Sequence, residues 1–176
     1  HPAMKAVGPT RKALALKTFF NILGPLVNPS SPKNHFLGTY NLEVARLYHY
    51  ILQEENSNYG IIHALDGYDE ISLTSAFKIF TKTGEKMISP EDLGMKRIQQ
   101  SAIFGGNSVS EAATIFKTIL DGNGTDSQNN VVLTNAAFAL QIVDETKTFE
   151  TAFEEAKNSL LGLKAKKIVE KLVSIQ

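Results

Sequence analysis

The 176 residues are 43% hydrophobic, which is enough for one domain with a substantial core, and no apolar run approaches the ~20 residues of a membrane span. Lys plus Arg and Asp plus Glu both number 18, so the chain has no net charge and no basic stripe, and nucleic acid is not an expected partner. The absence of cysteine excludes a disulfide framework, thiolate zinc and a cysteine nucleophile, and it suits a reducing cytoplasm. With no membrane span in the sequence, we expect a soluble cytoplasmic protein.

The first part of the chain predicts helices and buried strands in alternation. Helical periodicity over 10–23 ends at Gly24-Pro25, and 28–34 contains two prolines and two serines and predicts a loop. A short strand is expected over 36–40, followed by a helix that Asn41 can cap. The nearly unbroken apolar run 59–65 is typical of a strand covered on both faces of an α/β sheet.

The second part predicts a hairpin and then helices. Residues 75–83 and 86–88 can pair around Gly84, and Ser108-x-x-Glu111 has the form of a capping box before a helix. Further helices are expected over 130–143, 149–161 and 164–175. The glycine-rich stretch 122–126 follows a helix rather than a strand, so we interpret it as an inter-helix turn. No linker or repeat divides the chain.

An acidic pair, Asp69-Glu70, follows the predicted buried strand. Neighbouring side chains of a regular strand point to opposite faces, so adjacent carboxylates can share a metal only where the backbone turns, as Gly67 permits. Ligands of open α/β sheets collect beyond the carboxyl ends of the strands, and Mg²⁺ is usually held by one or two carboxylates with substrate phosphates. The pair is therefore a candidate magnesium site, and a solvated acidic loop is the alternative.

Residues near the start of the chain are candidates for binding an aromatic acid. Arg11 lies in the first turn of the first predicted helix, where a cation gains nothing from the helix dipole, and its guanidinium can form a bidentate pair with a carboxylate. His1 could hydrogen-bond the same ligand, and Gly24-Pro25 could form a rigid wall of the pocket. The alternatives are an ordinary exposed arginine, a frayed terminus and a simple helix stop.

A set of motifs, which includes the candidate residues named above, is distributed along the whole chain. They are His1-Pro-Ala-Met-Lys5, Arg11, Thr18-Phe-Phe-Asn-Ile-Leu-Gly-Pro-Leu-Val-Asn-Pro29, Asp66-Gly-Tyr-Asp-Glu-Ile-Ser72, Glu91-Asp92-Leu93-Gly94, Gly105-Gly106-Asn107 and Asn135-Ala136-Ala137. With these motifs the chain resembles the anthranilate phosphoribosyltransferase family of tryptophan biosynthesis, which joins anthranilate to phosphoribosyl diphosphate and releases diphosphate. The resemblance covers essentially the whole chain and about the last half of the family enzyme.

The resemblance implies a fold and a set of roles. It implies an α/β domain with a central mixed, largely parallel sheet flanked by helices, so that 1–176 is a single domain, the carboxy-terminal part of a longer two-domain enzyme. Arg11 would contact the anthranilate carboxylate, and His1 and Pro25 would line the anthranilate channel. Asp69 and Glu70 would hold Mg²⁺. Lys17 stands where the family usually has arginine, which keeps the charge but removes a planar fork.

The implied reaction is displacement at C1 of the ribose by the amine of anthranilate as the metal-bound diphosphate leaves. Because that amine is already neutral at neutral pH, no catalytic base is assigned. The family's glycine-rich diphosphate loop does not occur in these residues, so the piece is expected to fold and to be inactive by itself, whereas the complete enzyme is expected to be a homodimer.

Two other functions are compatible with part of this pattern. A pyrimidine-nucleoside phosphorylase would share the architecture but would use phosphate as the nucleophile, and the context of Arg11 and Gly24-Pro25 argues against it. A catalytically incompetent fragment, which binds ligand weakly or not at all, is the non-enzymatic alternative.

Overall fold

The computed structural model describes residues 5–6, 8–14 and 20–175, with 11, 12, 14, 20 and 21 described by their backbone alone. The helices are α1 (Gly8–Leu14), α2 (Phe20–Leu23), α3 (Leu42–Leu52), α4 (Val109–Leu120), α5 (Asp126–Val143), α6 (Phe149–Leu161) and α7 (Lys164–Ile175). The strands are β1 (Asn34–Gly38), β2 (Asn58–Ala64), β3 (Phe77–Thr81) and β4 (Gly84–Ile88), and short 3₁₀ helices span Gly24–Val27, Glu91–Leu93 and Gln100–Ile103.

The strands form one mixed sheet in the order β1-β2-β3-β4. β1 and β2 are parallel, and β2-β3 and β3-β4 are antiparallel, the last pair being the predicted hairpin. The expected α/β fold with a mixed sheet and flanking helices is confirmed, and within the described strands the parallel character is confined to β1 and β2. Because these two strands are parallel, their carboxyl ends at Gly38 and Ala64 lie at the same edge of the sheet.

Helices cover the sheet on both faces, which explains the continuous apolar run of β2. Helix α3 packs on one face, in a cluster formed by Val44, Ala45, Tyr48, Leu52, Tyr59, Ile61 and Phe80. Phe138 of α5 lies on the other face, in a cluster with Ile62, Ala64, Ile71, Leu73, Phe77 and Ile79. Helix α6 then packs on α5 through Leu133, Ala156 and Leu160. The result is a layered arrangement of helix, sheet and helix.

Side-chain caps fix where several helices begin. The Asn41 side chain accepts a hydrogen bond from the Val44 amide at 2.9 Å, as predicted for the start of α3. At α4, Ser108 accepts from the Glu111 amide at 3.2 Å, but the Glu111 carboxylate accepts from the Asn107 amide at 2.6 Å and does not close a box on Ser108.

Helix α5 begins at Asp126, earlier than the predicted start at 130. Thr125 and Gln128 form a complete capping box, with bonds of 3.0 and 3.3 Å, and this box nucleates the additional turn. Glycine at 122 has a positive φ of 76°, which suits the predicted turn between α4 and α5.

The described residues of the predicted first helix lie in α1 and α2, and its residues 15–19 lie outside the described part of the chain. In the ranges that the structure describes, none of the helices is both long and apolar enough to cross a membrane.

Candidate active site

The acidic loop leaves the sheet at the carboxyl end of β2, where the sequence places it. The Gly67 amide donates to the Ala64 carbonyl at 3.0 Å, and the Ala64 amide donates to the Tyr68 carbonyl at 2.9 Å, so the chain turns back at once. Gly67 has a φ of 100°, a conformation that glycine adopts without strain. This turn directs Asp69 and Glu70 back across the end of β1.

Asp69 and Glu70 are both exposed and line one cavity of about 440 Å³. The cavity lies between the carboxyl ends of β1 and β2 and helix α5, and its other lining residues are Phe36, Gly38, Ile62, Val131, Val132 and Asn135. The described residues contain no cluster of three or more His, Asp or Glu side chains suited to a metal. A cation here would therefore need oxygen ligands from a bound molecule, which fits the way Mg²⁺ binds beside phosphates.

Gly38, the last residue of β1, lets the loop lie against the strand. A Cβ atom placed on Gly38 would be 1.7 Å from the Asp69 carbonyl oxygen and 2.8 Å from the carbonyl carbon of Asp69. No side chain fits in that space, so the backbone of the acidic pair can reach this position only because residue 38 is glycine.

Helix α5 contacts the other end of the pair through Asn135. Its Oδ1 accepts a hydrogen bond from the Ile71 amide at 3.0 Å, and its Nδ2 donates to the Ile71 carbonyl at 2.9 Å. The Ile71 side chain is fully buried. We assigned Asn135 no role from the sequence, although a lone polar residue on the apolar side of a helix is a signal that could have identified it.

Asp66 has a different task from the acidic pair. Its carboxylate accepts hydrogen bonds from the hydroxyl groups of Thr74 and of Ser75, the latter at 2.8 Å. Burial raises the pKa of Asp66. The hydrogen bonds from Thr74, Ser75 and Gln100 together lower it by more than burial raises it, so the pKa lies below its ordinary value. Asp66 therefore stays ionised at neutral pH and ties the two ends of the loop together.

Of the candidate residues for an aromatic acid, only Pro25 has a described side chain, and it does not line this cavity. Pro25 lies in the 3₁₀ helix Gly24–Val27 and lines a separate cavity of about 220 Å³, with Asn28, His35 and Glu55 among its neighbours. Arg11 lies in α1 and is described by its backbone alone, and His1 lies outside the described residues. The roles of these three residues stay predictions.

Comparison with known proteins agrees with the fold. A family model described as "Glycosyl transferase family, a/b domain" matches residues 1–165. An anthranilate phosphoribosyltransferase of Flavobacterium johnsoniae is 53% identical over 172 residues, which are 98% of this chain and 52% of that protein. The enzyme of the same name from Bacteroides fragilis is 47% identical over 175 residues, 99% of this chain and 53% of that protein.

Two solved structures have the same fold. The anthranilate phosphoribosyltransferase of Thermus thermophilus superposes with a TM-score of 0.86 at 27% identity, over 99% of this chain and 52% of that one. The Saccharomyces cerevisiae enzyme, in complex with PRPP and Mg, gives 0.85 at 24% identity, over 97% of this chain and 49% of that one. The chain thus spans about half the length of the curated relatives it matches.

Proposed function

Because the chain belongs to the glycosyl transferase family, a/b domain, we propose that it forms the single carboxy-terminal α/β domain of an anthranilate phosphoribosyltransferase. The observation that carries this proposal is the acidic pair at the carboxyl edge of β1 and β2, beside a cavity, in a chain 53% identical to a protein of that name. Its substrates would be anthranilate and phosphoribosyl diphosphate. The name shared by the relatives favours this activity over a pyrimidine-nucleoside phosphorylase.

Asp69 and Glu70 would hold Mg²⁺ together with diphosphate oxygens. The donor set supports this role, because two exposed carboxylates on one cavity wall leave the remaining coordination positions to phosphate and water. The ion, when bound, offsets the negative charge of the departing diphosphate. The two carboxylates themselves would fix where the diphosphate lies relative to the sheet edge.

Arg11 would pair with the carboxylate of anthranilate, and His1 and Pro25 would line the channel through which anthranilate enters. Holding the carboxylate in a bidentate pair orients the amine toward C1 of the ribose, and such alignment supplies much of the rate in a two-substrate reaction. No side chain is required to remove a proton from the amine before attack. We also propose that the complete enzyme is a cytoplasmic homodimer that uses neither a membrane nor nucleic acid.

The test of this function uses a full-length protein made by joining this chain to the amino-terminal half of the Flavobacterium johnsoniae relative, hereafter the joined enzyme. Anthranilate fluorescence is followed with phosphoribosyl diphosphate and Mg²⁺. Arg11→Ala should weaken the response to anthranilate by about 1.5–3 kcal/mol and leave that to phosphoribosyl diphosphate nearly unchanged, because a charged partner of one substrate is lost. Equal effects on both Michaelis constants would contradict the assignment.

A further inference from the structure

The Asn135 side chain has no donor left for a ligand. Its Nδ2 carries two hydrogens, one directed to the Ile71 carbonyl at 2.9 Å and the other to the Val131 carbonyl, also at 2.9 Å. Its Oδ1 accepts from the Ile71 amide at 3.0 Å. The side chain thus lines the cavity of the acidic pair while its amide hydrogens are used by the protein's own backbone.

From this geometry we infer that Asn135 is a positioning residue for the magnesium-binding pair. It holds the backbone of Ile71, the residue directly after Glu70, on both its N–H and its carbonyl group. Residues 69 and 70 then lie between two fixed points, the close approach of the Asp69 carbonyl to Gly38 and the Asn135 clamp on Ile71. This inference rests on the proposed function, because it concerns the metal role assigned to Asp69 and Glu70.

The two hydrogen bonds from Asn135 can hold the Ile71 backbone in place because helix α5, which carries Asn135, is itself fixed in the core. Residues on both sides of Asn135 are buried, among them Thr134 and Ala137, each 0% exposed. One turn later, the Phe138 ring contacts the Phe77 ring of β3 edge to face, with centroids 5.4 Å apart. The bond from Asn135 to the Val131 carbonyl holds the amide in one orientation on this helix. The Asn135 side chain thereby fixes the backbone after the acidic pair to helix α5, in addition to the anchor that the buried Ile71 side chain provides in the core.

Asn135 affects metal binding through the position of the loop that carries the two carboxylates. Both carboxylates are exposed, so their own packing does not hold them in place. If the Ile71 backbone is released, the backbone that carries the two carboxylates is less firmly held beside the cavity. Changes to such supporting groups commonly weaken metal affinity by about 10- to 100-fold.

The direct test is hydrogen exchange of the Ile71 amide in this chain, followed by NMR without substrates or metal. Asn135→Ala should accelerate exchange at Ile71, whose amide donates to the Asn135 side chain. The matched control is Gln141→Ala, which removes one amide bond to a backbone carbonyl, that of Lys147 at 3.1 Å, at the other end of α5. The control should leave Ile71 protected. Equal protection of Ile71 in the Asn135→Ala variant and the unaltered chain would overturn the inference.

The second test measures the Mg²⁺ concentration for half-maximal activity in the joined enzyme. Asn135→Ala should raise it by about tenfold or more, with recovery at high Mg²⁺ and an unchanged Michaelis constant for anthranilate, whereas Gln141→Ala should not change it. If Asn135→Ala does not fold, Asn135→Gln displaces the same amide by one methylene and should shift the Mg²⁺ requirement in the same direction.

The two failures can be told apart. An unaltered joined enzyme with no Mg²⁺-dependent turnover would contradict the proposed function, and the exchange experiment would still decide whether Asn135 holds the loop. An active joined enzyme whose Mg²⁺ requirement is the same with and without Asn135 would contradict the positioning role alone.

Discussion

Replacing Gly38 by alanine introduces one methyl group at the point where β1 meets the acidic loop. That methyl would lie 1.7 Å from the Asp69 carbonyl oxygen, whereas ordinary van der Waals contact begins at about 3.4 Å. Strand and loop must therefore separate by well over an ångström. The position of the methyl is fixed by the strand backbone and the carbonyl belongs to the loop backbone, so neither can rotate away in the manner of a longer side chain.

The expected loss of stability follows from that comparison. Overpacking a fitted site typically costs about 1–3 kcal/mol, and the collision with backbone places Gly38→Ala in the upper part of that range. Gly60→Ala on the neighbouring strand is the matched control. Its new methyl would meet the Cδ1 and Cγ1 atoms of Ile142 at 2.9 and 3.1 Å and the Phe36 ring at 3.2 Å. These are side-chain atoms, which can shift more easily than backbone, so the cost should lie at the lower end of that range, about 1 kcal/mol.

The assay is urea unfolding of the chain and its two variants, with hydrogen exchange at the Ile71 amide, which follows the acidic pair, as a local readout. Gly38→Ala should lower the unfolding free energy more than Gly60→Ala at an unchanged denaturant slope, and it alone should accelerate exchange in the acidic loop. If Gly38→Ala proves no less stable than Gly60→Ala and leaves the loop protected, the close packing of Asp69 against β1 is wrong.

Three further outcomes are expected. Asp66→Asn should remove an acid-dependent part of the stability. Because the folded-state pKa of Asp66 is lowered, its contribution is complete above the unfolded-state pKa of about 4 and is lost as the pH falls through the folded-state value, so the urea midpoints of the two proteins should converge as the pH is lowered. Tyr48→Phe should cost about 0.5–1.5 kcal/mol in urea unfolding at neutral pH, since it deletes the 2.7 Å bond from the hydroxyl to the Ile22 carbonyl; an unchanged midpoint would refute that bond. Thr125→Ala should cost about 1 kcal/mol by opening the capping box of α5, with a loss of helical circular dichroism confined to about one turn.

The parts of the fold that could be predicted from sequence are those fixed by local pattern. The apolar run of β2, the hairpin of β3 and β4 and the Asn41 cap depend on residues close together in the chain. The start of α5 also has a local signal, because Thr125-x-x-Gln128 has capping-box form, but from the sequence we interpret 122–126 as a turn and expect the helix to begin at 130. Strand direction has no such local signal, so the antiparallel pairing of β2 with β3 appears only in the structure.

The candidate site also has one part that local sequence predicts and another part that only the tertiary structure reveals. Asp69 and Glu70 could be identified because a buried strand, a glycine and two carboxylates are adjacent in sequence. The contacts of their two supports could not be predicted, even though Asn135 is conspicuous as a polar residue on its helix. Gly38 is 31 residues from Asp69 and Asn135 is 64 residues from Ile71, and only tertiary packing brings them together.

The most direct measurement of the central claim compares the joined enzyme with its Asp69→Asn, Glu70→Gln double variant in the anthranilate fluorescence assay, across a range of Mg²⁺ concentrations. The account predicts Mg²⁺-dependent loss of anthranilate fluorescence by the unaltered joined enzyme, no turnover by this chain alone, and severe loss of turnover in the double variant with an unchanged urea midpoint. Magnesium-dependent turnover that survives the double substitution would contradict the claim that these two carboxylates form the metal site.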